Sequence, residues 1–417
     1  MRPVFIFCCG LFLSFTTITR LPAQSRSNFF TIGIEQGLSN TNIWSINQDK
    51  YGYIWIGTEA GLNRYDGHTM KQYFHSETDK TSVAGNACYW IFKDSEGDMW
   101  FACGYSGLSR YNYVTDNFAS LAPYDSARKN NRYNAPVWRF GEDAQKRIYL
   151  SCGAACYRYN KSTKKFEDLT SLFGQGFDAG IGRFFMLKNN IMLIAADDGL
   201  YRYNITSNSM RKIPFDVQKQ GFGAVGMRDI EWVNNNEVII SMEKAGYVIF
   251  DIDTEKFRPA DDPFYPGRSG KFSEMGDLLL DSKKRLWMAN TYSGLVKYNP
   301  GNRQSTFIKK DPLYPYPYPD QEGQGKAIFE DRDGNIWYGT STQGAVHFQP
   351  NIDFLSIYQR DFTQSNSLPG NIVSTFYPGK NNSMWIGTWG YGICRFDPQT
   401  NQYTNYNPTI QENDQLP

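Results

Sequence analysis

The sequence predicts an all-β fold, a β-propeller of four-stranded antiparallel blades. Three observations support this prediction. A motif recurs at a nearly fixed period, each period divides into four short apolar runs separated by turn residues, and helical i, i+3, i+4 patterning is scarce. Propeller blades repeat about every 40 to 50 residues, whereas solenoids and β-helices usually have shorter repeats.

The recurring motif is clearest in residues 52–67, GYIWIGTEAGLNRYDG. Similar copies occupy residues 98–112, 285–299, 335–349 and 383–397, and degenerate copies occupy residues 147–160, 191–204 and 237–251. Their anchor positions, 44 to 50 residues apart, are Trp55, Trp100, Tyr149, Leu193, Ile239, Trp287, Trp337 and Trp385. The motif is therefore a building unit of the fold rather than a single catalytic loop.

Each copy is predicted to form four strands. An apolar strand such as residues 43–47 leads into a turn such as residues 49–52, where Asp bonds nearby backbone and Gly accepts positive φ. The second strand carries the anchor. The third carries an aromatic column: Tyr65, Tyr111, Tyr159, Tyr203, Phe250, Tyr298, Phe348 and Phe396. Because a blade must bury both faces, these columns are predicted to fill the space between neighbouring sheets.

Two closures of the ring fit eight repeats. In the favoured one, residues 24–354 form a seven-bladed propeller and residues 355–417 begin a second, truncated propeller. In the alternative, the last repeat is the eighth blade of a single ring. Residues 28–40 resemble a fourth strand and its exit loop without the three strands before it. Such a segment could complete the last blade and seal the ring.

The N-terminus predicts export. Arg2, the mostly apolar residues 4–15 and the small-residue site at residues 21–23 form a signal-peptide pattern over residues 1–23. Arg20 lies unusually close to the apolar run, which leaves an uncleaved anchor as the alternative. The chain has 43 basic and 42 acidic residues, and this near-zero charge argues against a nucleic-acid partner.

No catalytic motif is evident. HExxH, GxSxG and P-loop patterns are absent, and His347, one of three histidines, occupies a strand column that otherwise holds Arg or Lys. Residues 221–226, GFGAVG, precede a predicted strand rather than the helix of a dinucleotide site. The acidic clusters at residues 197–199 and 331–335 supply too few oxygens in line for Ca²⁺ and are interpreted as turns. The sequence therefore predicts no catalytic residue, no cofactor and no metal.

Four cysteines allow two interpretations. Cys88 and Cys103 face each other across the predicted turn at residues 94–97, and Cys152 and Cys156 flank a short Gly-Ala-Ala turn. Each pair could form a disulfide in an oxidising compartment. Alternatively, the thiols are small buried groups that fill spaces held by Thr in other copies.

The candidate ligand-binding residues lie on loops predicted to share one face of the propeller. Loops between second and third strands, and loops between blades, converge there on the axis. They carry Glu59, Tyr105, Asp197, Asp198, Tyr292, Tyr314, Tyr316, Tyr318, Trp389 and Tyr391. Aromatic faces near carboxylates suit sugar rings, which have apolar C–H faces and hydroxyl edges. The alternative is that these aromatics pack between blades or form a subunit contact.

Residues 36–67, QGLSNTNIWSINQDKYGYIWIGTEAGLNRYDG, resemble the periplasmic sensor region of hybrid two-component regulators from gut Bacteroidetes, which carry two-component-regulator propeller repeats. The resemblance implies two seven-bladed propellers, followed by a β-sandwich domain, a membrane helix and a histidine kinase beyond this chain. Residues 355–376 look like the start of the second propeller.

The same resemblance implies a non-enzymatic periplasmic module that binds an oligosaccharide and signals to a kinase outside this chain. It also implies a homodimer in the full-length protein, and a membrane contact only through a downstream segment. Two further readings of the residues stay open. One is a protein-interaction scaffold, and the other is a propeller polysaccharide lyase or glycosidase.

Overall fold

A computed structural model describes residues 29–104, 107–122, 137–215, 226–242, 246–259, 275–290, 294–299, 304–307, 325–350, 360, 366–400 and 402–406. Within these residues the chain forms 32 strands and three short 3₁₀ helices, at Ile34–Gln36, Thr170–Phe173 and Lys380–Asn382. The strands form eight four-stranded antiparallel sheets, which confirms the predicted all-β propeller architecture. No helix in this part of the chain is long and apolar enough to cross a membrane.

The strands follow the repeats of the sequence. β1 (Phe30–Ile32) precedes the first complete blade. Blade 1 contains β2 (Ile43–Gln48), β3 (Ile54–Thr58), β4 (Gly61–Tyr65) and β5 (Met70–Tyr73). Blade 2 contains β6 (Cys88–Lys93), β7 (Met99–Cys103), β8 (Leu108–Asn112) and β9 (Asn117–Leu121). Blade 3 contains β10 (Val137–Glu142), β11 (Ile148–Cys152), β12 (Ala155–Asn160) and β13 (Lys165–Asp168). Blade 4 contains β14 (Ile181–Met186), β15 (Ile191–Ala196), β16 (Gly199–Asn204) and β17 (Ser209–Ile213).

Three further blades and an eighth sheet follow. Blade 5 contains β18 (Met227–Trp232), β19 (Glu237–Met242), β20 (Gly246–Asp251) and β21 (Phe257–Pro259). Blade 6 contains β22 (Met275–Leu280), β23 (Leu286–Asn290), β24 (Gly294–Asn299) and β25 (Gln304–Phe307). Blade 7 contains β26 (Gly325–Glu330), β27 (Ile336–Thr340) and β28 (Ala345–Phe348). The eighth sheet contains β29 (Val373–Pro378), β30 (Met384–Thr388), β31 (Gly392–Asp397) and β32 (Gln402–Tyr406).

Seven blades close the ring. The inner strands contact one another in the order β2, β6, β10, β14, β18, β22 and β26, and β26 contacts β2 again. β1 pairs antiparallel with β28, with Phe30 opposite His347, and so supplies the fourth strand of blade 7. The N-terminal segment thus seals the ring, which has the seven blades of the favoured closure.

The eighth sheet belongs to a separate compact unit. The boundary between the ring and this unit falls between residues 350 and 351. Within the second unit, Leu368, Ile386, Cys394 and Phe396 form a small buried cluster. This unit therefore has a core of its own.

Aromatic side chains fill the space between the blades of the ring, as predicted. The anchors Trp55, Trp100 and Trp287 are almost fully buried. Trp55 contacts Tyr111 of blade 2 at 4.8 Å between ring centroids, and Trp287 contacts Phe348 of blade 7 at 5.6 Å. Second-strand anchors therefore pack on the third-strand column of the next blade.

The turn aspartates connect each turn to its anchor. Oδ1 of Asp49 accepts hydrogen bonds from the backbone N–H groups of Tyr51, Gly52 and Tyr53, and Oδ2 accepts one from the indole of Trp55 at 2.9 Å. The same side-chain bond joins Asp94 to Trp100, Asp281 to Trp287, Asp331 to Trp337 and Asp143 to Tyr149, at 2.7 to 3.0 Å. The predicted turn role is confirmed, and the structure adds a buried bond to the anchor.

The basic column of the third strands joins neighbouring blades. Arg64 pairs with Asp116 of blade 2 at 3.3 Å, and Arg202 pairs with Glu255 of blade 5 at 3.1 Å. Burial acts to raise the pKa of Asp116, but hydrogen bonds from Lys71, Tyr111 and Tyr73 and the charge of Arg64 overcome it and lower the pKa to about 2. These ion pairs connect the outer parts of successive blades.

His347 takes the place of the basic residue in blade 7. Its ring stacks on Trp337 at 4.3 Å between centroids and on Phe30 at 5.3 Å. Burial lowers its pKa, so the neutral form is favoured. The prediction of a half-buried strand residue is confirmed.

Candidate functional site

Seven of the eight described inner strands carry a one-residue β-bulge at their second position. In blade 1 the pairing register shifts between Ile43 and Ser45, so Trp44 is the extra residue. The register shifts at the same place in six other sheets, and between Met275 and Leu278 in blade 6. Bulged residues in the ring include Trp44, Tyr89, Trp138, Gly182, Arg228 and Lys326. Because a bulge bends the strand and re-aims its side chain, the ring holds these residues at one level around the axis.

Three of the bulged residues form an aromatic arc, defined as Trp44, Tyr89 and Trp138. They belong to consecutive blades. Trp44 meets Tyr89 edge-on at 5.2 Å between centroids, and Tyr89 meets Trp138 at 4.8 Å. Lys326 of blade 7 extends the arc, with Nζ 3.6 Å from the centre of the Trp44 ring. All three rings are half-buried, so part of each surface stays open to solvent.

Glu59 lies at this arc. Its Oε2 accepts a hydrogen bond from the indole N–H of Trp44 at 2.6 Å, and its backbone N–H donates to the carbonyl of Asn42 at 3.0 Å. The loop between β3 and β4 therefore reaches the beginning of β2. Of the predicted ligand-binding residues, exposed Glu59 is the one that the structure brings to the aromatic arc.

A charged loop-to-bulge contact joins blade 4 to blade 5. Asp197, on the loop between β15 and β16, lies 2.7 Å from Nη1 of Arg228, the bulged residue of blade 5. Asp198 accepts hydrogen bonds from the Tyr201 hydroxyl at 2.6 Å and from Lys212 at 2.7 Å. Both predicted carboxylates are thus engaged by neighbouring side chains.

The other candidate residues lie in the second unit or outside the described residues. Trp389 and Tyr391 lie on the β30–β31 turn of the second unit, where 74% and 48% of their surfaces are exposed. The guanidinium of Arg360 lies 4.7 Å from the Tyr391 ring centre. Five others lie outside the described residues: Tyr105, Tyr292, Tyr314, Tyr316 and Tyr318.

The two cysteine pairs differ in their geometry. Cys88 and Cys103 are directly opposed across β6 and β7, as the sequence register predicts, and both side chains are fully buried. Burial raises the pKa of the Cys103 thiol, and so does the hydrogen bond that its S–H group donates to the Cys88 sulfur.

Cys152 and Cys156 are arranged differently. Cys152 lies opposite Ala155, whereas Cys156 lies opposite Ser151. The two side chains enter different core clusters, on opposite faces of the sheet. This arrangement does not place Cys152 and Cys156 for the bridge that was one of their two interpretations.

The aromatic arc combines surfaces that suit ring stacking with polar groups at its edge. Aromatic faces, the Glu59 carboxylate and the Lys326 ammonium can together contact a ligand with apolar faces and hydroxyl edges. Among the described residues, no group of three or more His, Cys, Asp or Glu side chains could hold a metal ion. Sequence reasoning found Glu59 but missed the arc, because a bulge leaves no residue signature.

A family model, described as two component regulator propeller, matches residues 37–60, 326–342 and 367–390. These segments carry the first two strands of blade 1, blade 7 and the eighth sheet. A curated relative, histidine kinase P4 of Formosa agariphila, is 39% identical over 84 residues, which are 20% of this chain and 6% of the relative. The chain therefore spans only a small part of that relative.

Solved structures share the fold. The extracellular domain of a hybrid two-component system from B. thetaiotaomicron matches with a TM-score of 0.64 and 20% identity, over 91% of this chain and 55% of that domain. Another extracellular domain from the same organism, described as part of a one-component system, matches with a TM-score of 0.61 and 18% identity, over 92% and 54%. Virginiamycin B lyase of Staphylococcus aureus matches with a TM-score of 0.54 and 12% identity, over 78% and 99%.

This chain spans about half the length of the two B. thetaiotaomicron domains. The family matches fall on the repeats that define the blades, in both units of the chain. Three of the chain's repeats thus match the two component regulator propeller model, and the resemblance of the chain to the sensor regions of hybrid two-component regulators is confirmed.

Proposed function

We propose that this chain is the periplasmic ligand-sensing module of a two-component regulator and that it binds a glycan fragment on the aromatic arc. Its repeats and its similarity to extracellular domains of such systems support the sensing role. The kinase that receives the signal would lie outside this chain. Ligand binding would act by favouring one of two arrangements of the full-length receptor, since a ligand shifts an equilibrium only through differential affinity.

The aromatic arc is the observation that carries the glycan proposal. Trp44, Tyr89 and Trp138 present partly open rings on three consecutive blades. Sugar rings stack their C–H faces on such surfaces, and their hydroxyl groups need donors and acceptors at the edge. Glu59 and Lys326 supply an acceptor and a donor beside Trp44. An oligosaccharide of two or three units matches this combination better than a compact polar ligand.

We assign binding rather than turnover to this surface. Glycosidases use a pair of carboxylates, one of which must move a proton. At this end of the ring, Glu59 is bonded to the Trp44 indole and Asp197 is paired with Arg228. Both carboxylates have structural partners that hold them in place.

Calorimetry of the mature chain against a panel of neutral and acidic oligosaccharides tests the proposal. We expect at least one to bind, and Trp44→Ala or Trp138→Ala to weaken binding tenfold or more, about 1.4 kcal/mol. Tyr51→Ala is the matched control. This aromatic residue is 60% exposed in the turn after β2, at the opposite end of the inner strand. Its removal should leave the affinity unchanged.

Three outcomes would contradict the proposal. Binding that survives both arc substitutions would place the glycan elsewhere. A folded chain that binds no oligosaccharide but co-purifies with a protein would favour a scaffold. Release of new reducing ends from the oligosaccharide would favour an enzyme. In the full-length receptor, Trp44→Ala should also abolish glycan-dependent phosphorylation while leaving the amount of protein unchanged.

A further inference from the structure

The central channel of the ring is crossed by a belt of charged and aromatic side chains, defined as Trp90, Arg139, Arg183, Asp229 and Asp277. Each is the third residue of its inner strand. Arg139 of blade 3 lies 3.9 Å from Asp277 of blade 6, so this ion pair spans the axis. Arg183 lies 3.2 Å from Asp229, and the Arg139 guanidinium covers the Trp90 ring at 4.1 Å. The belt therefore separates the aromatic arc from the opposite end of the channel.

A cavity of about 740 Å³ lies on the far side of the belt from the arc. Trp90 and Arg183 line it from the belt. Its aromatic wall includes the half-buried Phe92 and Phe329, and behind them Phe140, Phe184 and Phe185, which are largely buried between blades. Its rim is formed by the ends of the inner strands and the turns that follow them, including Gln48, Glu142, Glu330 and Arg332. A volume between about 300 and 1,000 Å³ is typical of small-molecule sites, and this cavity presents polar and apolar groups in similar measure.

The carboxylates of the rim already have partners. Glu142 accepts hydrogen bonds from the backbone and hydroxyl of Ser95, at 2.7 and 3.1 Å, and pairs with Lys161 at 3.2 Å. Glu330 accepts two from Ser282, both at 2.7 Å. A cationic ligand would have to compete with these bonds.

Arg183 is the cation at the inner wall of the cavity. Its Nε pairs with Asp229, whose second oxygen accepts the backbone N–H of Leu278 at 2.7 Å. Because Asp229 pairs with Nε of Arg183 and its other oxygen accepts the Leu278 N–H, the N–H groups at the two Nη atoms of Arg183 can face the cavity. A carboxylate can take two parallel N–H bonds from such a group.

The charge of the belt becomes more favourable to an anion as the pH falls. Burial and the nearby charge of Asp229 raise the pKa of Asp277 to about 7, against the opposing charges of Arg139 and Arg183. Burial also raises the pKa of Glu231, which faces the same group of charges. The guanidiniums of Arg139 and Arg183 thus face Asp229, Glu231 and Asp277. Protonation of Asp277 removes one of these negative charges, which makes an anion beside Arg183 less unfavourable.

We propose that this cavity is a second ligand site, separate from the aromatic arc, for a small amphipathic carboxylate. The carboxylate pairs with Arg183, and the apolar body packs against the phenylalanine wall. A monoanion fits better than a phosphate dianion, because one guanidinium with one partner already bound cannot neutralise two charges. This inference does not depend on glycan binding.

Titration of the full chain with 4-phenylbutyrate, followed by calorimetry, tests the proposal. The neutral 4-phenylbutanol and the cationic 4-phenylbutylamine are the matched probes. We expect the acid to bind at least tenfold more tightly than either, and its affinity to increase as the pH falls from 8 to 6. Arg183→Gln should weaken binding of the acid tenfold or more. Arg211→Gln, an exposed arginine on β17, is the control and should have no effect.

A second variant keeps the test decisive if Arg183→Gln fails to fold. Phe329→Ala removes part of the apolar wall and should weaken the acid and the alcohol alike. The proposal is overturned if the folded chain binds none of the probes, if the amine binds best, or if neither variant changes the affinity. Trp44→Ala should leave 4-phenylbutyrate binding intact, which distinguishes failure of this site from failure of the glycan site.

Discussion

The bond between a turn aspartate and its anchor tryptophan is a testable source of stability. We expect Asp49→Asn to destabilise the chain although the side chain keeps its size. The amide retains one oxygen for the N–H groups of Tyr51, Gly52 and Tyr53. Its NH₂ group, however, replaces the oxygen that accepts the Trp55 indole at 2.9 Å. Two donors then face each other in a fully buried site.

The magnitude follows from that geometry. A hydrogen bond to a charged acceptor contributes about 1.5 to 3 kcal/mol, and a buried donor left unpaired costs about 1 to 3 kcal/mol. These two contributions overlap, so we expect a loss of about 3 kcal/mol for Asp49→Asn. In the Trp55→Phe background no indole N–H is present, and the same substitution should cost about 1 kcal/mol. The coupling energy of the double-mutant cycle is then about 2 kcal/mol.

Urea unfolding followed by circular dichroism measures this cycle without relying on tryptophan fluorescence. Asp66→Asn is the control, because Asp66 also accepts backbone bonds in a turn of blade 1 but is exposed and has no indole partner. Its effect should be clearly smaller. A coupling energy below about 0.5 kcal/mol between Asp49 and Trp55 would refute the reasoning.

Three further predictions concern ring closure and chemistry in the blades. Ile32→Asp places a charge in the buried seam that β1 forms with blade 7, and it should lower stability by at least about 3 kcal/mol; an unchanged urea midpoint would show that β1 does not seal the ring. Burial lowers the pKa of His347, so the unfolded chain binds a proton more readily than the folded chain, and stability should decrease as the pH falls below about 6.5. His347→Gln should flatten this pH dependence, and equal pH profiles for the two proteins would contradict the prediction. We also propose that the exported protein forms a Cys88–Cys103 bridge. The backbone N–H of Gly104 donates to the carbonyl of Ala87, so the adjacent cysteines form a non-hydrogen-bonded pair, in which facing side chains lie closer together. Five reactive thiols in denatured, unreduced protein would exclude the bridge.

The sequence was sufficient to predict the blades because the repeat reports the packing that every blade needs. Trp55 and the residues at equivalent positions recur where a large side chain must fill the gap between sheets. The orphan strand around Phe30 was recognisable for the same reason, since it matched the end of a repeat without its beginning. Even the opposition of Cys88 and Cys103 followed from the turn between their strands.

The contacts that distinguish one blade from another were not predictable in this way. The indole bond of Asp49 requires a side-chain direction, which spacing alone does not give. Arg64 reaches Asp116 of the next blade, 52 positions later, through a geometry that exists only after the ring closes. The sequence does not distinguish Trp44 from an ordinary strand residue, because a bulge adds one residue to a strand without changing its composition. The charge belt around Arg139 likewise assembles from blades that are distant in sequence.

The repeated bulge separates the evolution of specificity from that of stability. Residues at the bulged positions are released from the ladder pairing that the neighbouring strand residues must satisfy, so selection can vary Trp44, Tyr89, Trp138 or Lys326 with little penalty to folding. Gly182 marks a limit to this freedom, because a Cβ atom there would lie 2.5 Å from the backbone oxygen of Arg228. A ring of this kind can acquire a new ligand one blade at a time, and libraries directed at these positions should yield altered binding more often than libraries directed at the anchors.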